Sequence, residues 1–204
     1  MGIEKKQTRL EWRLWQHIGW ALIRCLFALL LGASATAHAV EGIEIKEAHI
    51  ESAEDGYKLA ATFDLELNRG LEDAVTRGIP LYFTTEIELT RPRWYWLDEK
   101  TLRSTHTLRL SYNVLTRKYI ISFAGGVQQT FNSLEEALFL VRRPSRWLIG
   151  GRGALKAGEV YNVSMRMALN LEYMSKPFQV NAINNSDWRL SSDRKNFSFK
   201  AEDK

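Results

Sequence analysis

The sequence predicts an all-β domain, or an α+β one, built as an antiparallel sandwich with two short helices. Three observations carry this expectation. Four long stretches alternate strictly between apolar and polar residues, which is the pattern of strands with one buried face. Shorter stretches of β character lie near 43–50, 119–124 and 127–131. Only two segments read as helices. Many strands with few helices suit a sandwich or an open barrel.

The elements follow in order. Tyr57, Leu59, Ala61, Phe63, Leu65 and Leu67 share one side of the first long strand, opposite Lys58, Thr62, Asp64 and Glu66. A short helix over 71–77 ends at Gly78 and Pro80, a glycine past the last turn and then a proline. Leu81, Phe83, Thr85, Ile87 and Leu89 then alternate with Thr84, Glu86 and Glu88. Leu108, Leu110, Tyr112 and Val114 alternate with Thr107, Arg109 and Ser111. The second helix opens on Ser133-Leu134-Glu135-Glu136, a capping box in which Ser133 and Glu136 satisfy each other's amides. Pro144 stops it, because the residue before a proline avoids the helical region. Gly150-Gly151-Arg152-Gly153 reads as a flexible connection to the last long strand. In that strand Tyr161, Val163, Met165, Met167, Leu169 and Leu171 alternate with Asn162, Ser164, Arg166 and Asn170. Phe197 and Phe199 add a final strand before a charged end.

Residues 1–39 have the layout of a secretory signal peptide. Lys5, Lys6, Arg9 and Arg13 precede an apolar stretch, and Ala37-His38-Ala39 is a small-x-small cleavage signal after which Val40 begins the mature chain. Arg24 interrupts the apolar stretch, and a charge near mid-helix opposes a membrane-spanning reading by about 2.5–3.5 kcal/mol. The expected organisation is a leader over 1–39 and a single β-rich domain over 40–204, located in the periplasm. Contact with the membrane is expected only through the uncleaved leader. The sole cysteine, Cys25, lies in that leader, so the domain has no disulfide and no thiolate metal site. The leader also holds five of the 28 basic and two of the 24 acidic side chains. The remaining 23 against 22 give no footprint for nucleic acid.

Three segments are distinctive: Gly78-Ile79-Pro80-Leu81-Tyr82-Phe83, Arg91-Pro92-Arg93-Trp94-Tyr95-Trp96, and Lys176-Pro177-Phe178-Gln179-Val180-Asn181-Ala182 running into Ser186-Asp187-Trp188-Arg189-Leu190. With them, residues 43 to 199 resemble a family of uncharacterised exported proteins of Gram-negative bacteria. The family is a domain of unknown function, some of whose members are labelled proline-rich signal peptide proteins. The resemblance implies an envelope location, a β-rich fold and no established activity. It also implies an association with a membrane sensor kinase, beside which family members are often encoded.

The residues point away from catalysis. His49 and His106, the two histidines after the leader, lie in no nucleophile motif, and no Gly-x-Ser-x-Gly elbow is present. Glu86 and Glu88, like Asp64 and Glu66, sit two apart on the outer side of a strand, where solubility asks for charge. The glycine cluster lacks the Gly-Lys-Ser/Thr ending of a phosphate loop. No cofactor and no metal are expected.

Two basic-aromatic clusters are the candidate binding residues. Arg91, Arg93, Trp94, Tyr95 and Trp96 form one; Arg143, Arg146 and Trp147 form the other. Aromatic rings beside guanidinium groups can hold a peptide, a sugar or a headgroup. If the clusters meet, they line a cationic, aromatic groove. If they do not, the tryptophans fill the core and the arginines cap its rim. The expected function is a non-catalytic envelope binding module for a protein partner. The alternative is a carrier that holds a lipid or other hydrophobic ligand between its sheets, near Met165 and Met167.

Overall fold

A computed structural model describes residues 42–93, 95, 99–144 and 146–202. The expected leader, its cleavage residue Ala39, and Trp94, Trp96 and Ser145 lie outside the described residues. None of the helices among the described residues is long and apolar enough to cross a membrane.

The alternating stretches become strands as expected, with β1 over Ile43–Ala53, β2 over Gly56–Leu65 and β3 over Leu81–Arg91. Beyond them come β4 (Glu99–Asn113), β5 (Lys118–Phe123), β6 (Gln128–Phe131), β7 (Trp147–Gly151), β8 (Val160–Leu169) and β9 (Lys195–Lys200). They form a three-stranded sheet in the order β1-β2-β7 and a six-stranded sheet in the order β6-β5-β4-β3-β8-β9. Every pairing within the two sheets is antiparallel. The fold is the predicted antiparallel β-sandwich.

The odd-numbered residues of β3 and β8 face the smaller sheet. Leu81, Phe83, Ile87, Leu89, Tyr161, Val163, Met165 and Met167 are all buried there, against Leu59, Phe63 and Leu65 of β2. Burying such a side chain is worth about 1.5–3 kcal/mol, so this shared layer is what binds the sheets together. Phe197 and Phe199 of β9 and Tyr112 of β4 extend it at the margins.

The two sheets are joined at both edges of the smaller one. On one side Ile43 of β1 bridges Ser192, and the Lys195 ammonium donates to the carbonyls of Ile45 and Lys46. On the other side β7 lies over β4. Here the glycines have a packing role: a Cβ on Gly56 would strike the Gly150 carbonyl oxygen, and one on Gly150 would strike Leu102. Gly150 and Gly151 therefore end a strand, and only Arg152 onward forms the connection first expected of the whole glycine cluster.

Among the described residues three α-helices accompany the sheets. In α1 (Arg69–Thr76) the Asn68 side chain accepts from the Leu71 amide, while Leu71, Ala74 and Val75 are buried. In α2 (Leu134–Arg142) Ser133 accepts from the Glu136 amide, as predicted. The Glu136 carboxylate, however, takes the amide of Asn132 rather than that of Ser133, one residue outside the expected box. Leu138 and Val141 of α2 are buried, and the helix packs on β2, β5 and β6. The third helix, α3 (Lys176–Asn184), was not anticipated: its apolar residues gather on no single face, although Pro177 suits a first turn.

Candidate functional site

The two arginine-rich clusters meet different fates. Arg91 is the last residue of β3 and Glu99 the first of β4, and the hairpin register places them opposite each other. The Glu99 carboxylate accepts from Arg91 at 2.5 Å and also from Arg93. Hydrogen bonds from Arg91 and then Arg93 hold the Glu99 carboxyl below the usual carboxylate range. The same bond raises the Arg91 guanidinium. Both arginines thus serve one carboxylate at the open end of the sandwich. Of the aromatic residues beside them, Tyr95 is exposed, while Trp94 and Trp96 lie outside the described residues.

The second cluster grows out of α2. Arg142 is structural: its Nε donates to the Leu65 carbonyl at 2.8 Å and its guanidinium pairs with Glu135. One residue on, Arg143 turns outward and lies 4.8 Å above the ring of Phe139, a turn earlier on the same helix. Phe139 is itself exposed. The Pro144 carbonyl accepts from Ala61, which seats the turn on β2. Arg146 follows, exposed and left-handed at φ 55°. Trp147 then points inward and is half-buried, its ring stacked 5.1 Å from His106 of β4. Burial lowers the pKa of His106 below the ordinary histidine value. Leu148, the next residue of β7, points out and is exposed.

Among the described residues, Arg91 and Arg93 of the first cluster are held apart from Trp147 of the second. His106, which carries Trp147, and Glu99, which holds Arg91 and Arg93, are seven residues apart on β4, or about 23 Å along the strand. What the structure assembles instead is a corner of Phe139, Arg143, Arg146 and Leu148, at the junction of α2 with the edge strand β7. Phe139 and Leu148 escaped the sequence reading. Phe139 sits in an otherwise ordinary amphipathic helix, and Leu148 in a strand too short to show alternation.

Among the described residues no group of three or more His, Cys, Asp or Glu side chains is placed to hold a metal ion. Met165 and Met167, the residues favoured for a hydrophobic ligand, are packed into the layer between the sheets.

This is a two-sheet antiparallel sandwich whose exposed corner is cationic and aromatic. The chain belongs to the family described as a domain of unknown function (DUF4390), whose model matches residues 40–198. No curated protein and no solved structure matches it.

Proposed function

We propose that the chain is an exported, non-catalytic binding module of the bacterial envelope, and that the α2–β7 corner is where it engages a protein partner. The observation that carries this reading is the Phe139–Arg143 pair, a ring and a guanidinium stacked on each other and left in solvent. Exposed Arg146 and Leu148 extend it onto an edge strand. Aromatic and arginine anchors of this kind are enriched at protein interfaces. An edge strand adds the option of main-chain pairing with a partner segment. Export is supported by the leader's composition and by the family match, which begins at residue 40, directly after the expected cleavage. The periplasmic part of a membrane sensor kinase is a partner of the right location. The carrier reading draws less support, because the space that a lipid needs is filled by Phe83, Tyr161, Met165 and Met167.

The test is photo-crosslinking in living cells from a benzoylphenylalanine placed at 139, 146 or 148, with position 115 as the exposed control. A discrete protein adduct from the three corner positions and none from Leu115 is expected, with a purified chain that begins at Val40. Equal labelling from all four positions would remove the corner as the docking surface.

A further inference from the structure

The outer face of the six-stranded sheet carries a second arrangement, remote in purpose from the corner. On its three central strands, β4, β3 and β8, the outward side chains include Lys100, Arg103, Arg109 and Arg166 against Glu86 and Glu88. The carboxylates are spoken for on the β4 side: Glu88 pairs with Lys100 at 3.1 Å and Glu86 with Arg103 at 3.7 Å. Arg166 stands directly opposite Glu86 in the β3–β8 register, yet Glu86 leans away from it toward Arg103. Two guanidinium groups, those of Arg109 and Arg166, are left over.

Both are poorly satisfied. The Nε atoms of Arg109 and Arg166 are buried without a hydrogen-bond partner among the described residues. The Oγ of Ser122 shares that condition, and Ser122 is the residue directly across from Arg109 in the β4–β5 register. All three orphaned atoms lie on this one face of one sheet. A buried donor without an acceptor is costly, so such groups normally have a partner to meet.

The shape agrees. Between Arg109 and Arg166 the sheet surface is made of small side chains: Ala168 of β8, Thr84 of β3 and Thr107 of β4, consecutive in one cross-strand row. Thr84 and Thr107 join hydroxyls at 3.0 Å, and Thr84 is buried although no second sheet covers it. A pocket of about 240 Å³ opens at the Ala168 end of this row, floored by Thr84 and Ala168 and bordered by Arg166, Glu86 and the segment 169–172, with Arg109 outside its lining. Glu172 stands on its exposed rim. This volume is just below the usual range for small-molecule sites, about 300–1,000 Å³, and suits a compact polar group.

We infer that this pocket binds a small oxyanion-bearing ligand, a phosphate or carboxylate group held by Arg166 with Arg109 as the flanking positive charge. The two Nη groups of a guanidinium offer parallel N–H donors that match two oxygens of such a group, and an anion seated against them brings an acceptor toward the buried Nε–H. The anion could be free in solution or the headgroup of an acidic lipid; the chemistry at Arg166 is the same.

The test follows the arginine Nε–H signals of the full chain by ¹⁵N nuclear magnetic resonance, during titration with inorganic phosphate and with citrate. Saturable movement of the Arg166 signal is expected, lost in Arg166→Gln. Should that variant not fold, Arg166→Lys carries the test, keeping the charge but losing the fork, with affinity at least about tenfold weaker. Arg109→Gln is expected to weaken binding by a smaller factor, and Arg103→Gln to leave it unchanged. An Arg166 signal that stays fixed, or that moves without saturating in step with every exposed arginine, overturns the inference. Sedimentation with phosphatidylglycerol vesicles but not phosphatidylcholine ones, abolished in Arg166→Gln, would identify the source as a lipid headgroup. A saturable phosphate response with no vesicle binding would identify a free anion.

Discussion

The hairpin end at Arg91–Glu99 and the corner at Arg143–Trp147 have nearly the same composition, arginines around a proline followed by tryptophan. Their environments have nothing in common. At the hairpin the strand register delivers a carboxylate between two guanidinium groups, and the charge is spent on holding the sandwich end. At the corner Arg143 finds an aromatic ring, Arg146 finds solvent, and the tryptophan is claimed by His106. A basic-aromatic segment is therefore no site in itself. Whether it is free to bind is decided by the partner that a distant stretch of chain brings beside it.

The largest expected effect separates the corner's inward residue from its outward ones. Trp147→Ala removes a half-buried ring that stacks on His106 and is expected to cost about 2 kcal/mol, read as a lowered urea midpoint. Arg143→Ala loses only an exposed cation–π contact, at most about 1 kcal/mol. The crosslink yield should order the other way, with Arg143→Ala harming it and Trp147→Ala acting only through stability. Equal stability losses at both positions would break the distinction.

Much of this was legible in the chain. Alternation gave the faces of β2, β3 and β8 residue by residue, because a period of two is a local signal. The first half of β4 was missed, since its inward positions are Leu102, Ser104 and His106, too polar to alternate visibly. Strand β7 was missed because five residues ending in two glycines carry no pattern, and its glycines serve packing against Gly56 and Leu102. The site on the outer face was hidden for a different reason. Arg109 and Arg166 read as ordinary solvated positions, and only the register of three strands reveals that Glu86 and Glu88 are engaged elsewhere.

A smaller effect sharpens the contrast from the hairpin side. Glu99→Gln leaves Arg91 and Arg93 facing each other without their shared carboxylate, and a lowered melting temperature is expected at neutral pH. Because the carboxyl is held below its ordinary range, its contribution is present above the unfolded value, near 4.3 for glutamate, and is lost as pH falls through the folded one. The gap between wild type and Glu99→Gln should therefore be constant above about pH 5 and close below about pH 4. A gap that persists in acid would mean that Glu99 acts by packing, as Trp147 does.

The smallest effect lies at His106, where the two regions touch the same strand. Burial disfavours its charged form, so the folded protein binds this proton less readily than the unfolded chain. Stability from this source is complete above the ordinary histidine value of about 6.5 and declines as pH falls below it. That is the opposite partner chemistry from Glu99 but the same direction of pH dependence, displaced to higher pH. His106→Phe keeps an aromatic ring under Trp147 and removes the titration, so its urea midpoint should change less between pH 7.5 and pH 5.5 than that of the wild type. Were the two to change in parallel, His106 would take up its proton as readily in the fold as in the unfolded chain, so that below about pH 6.5 the stack with Trp147 would be a cation–π contact of the kind found at Arg143. The corner would then be cationic on its inner side as well as its outer one.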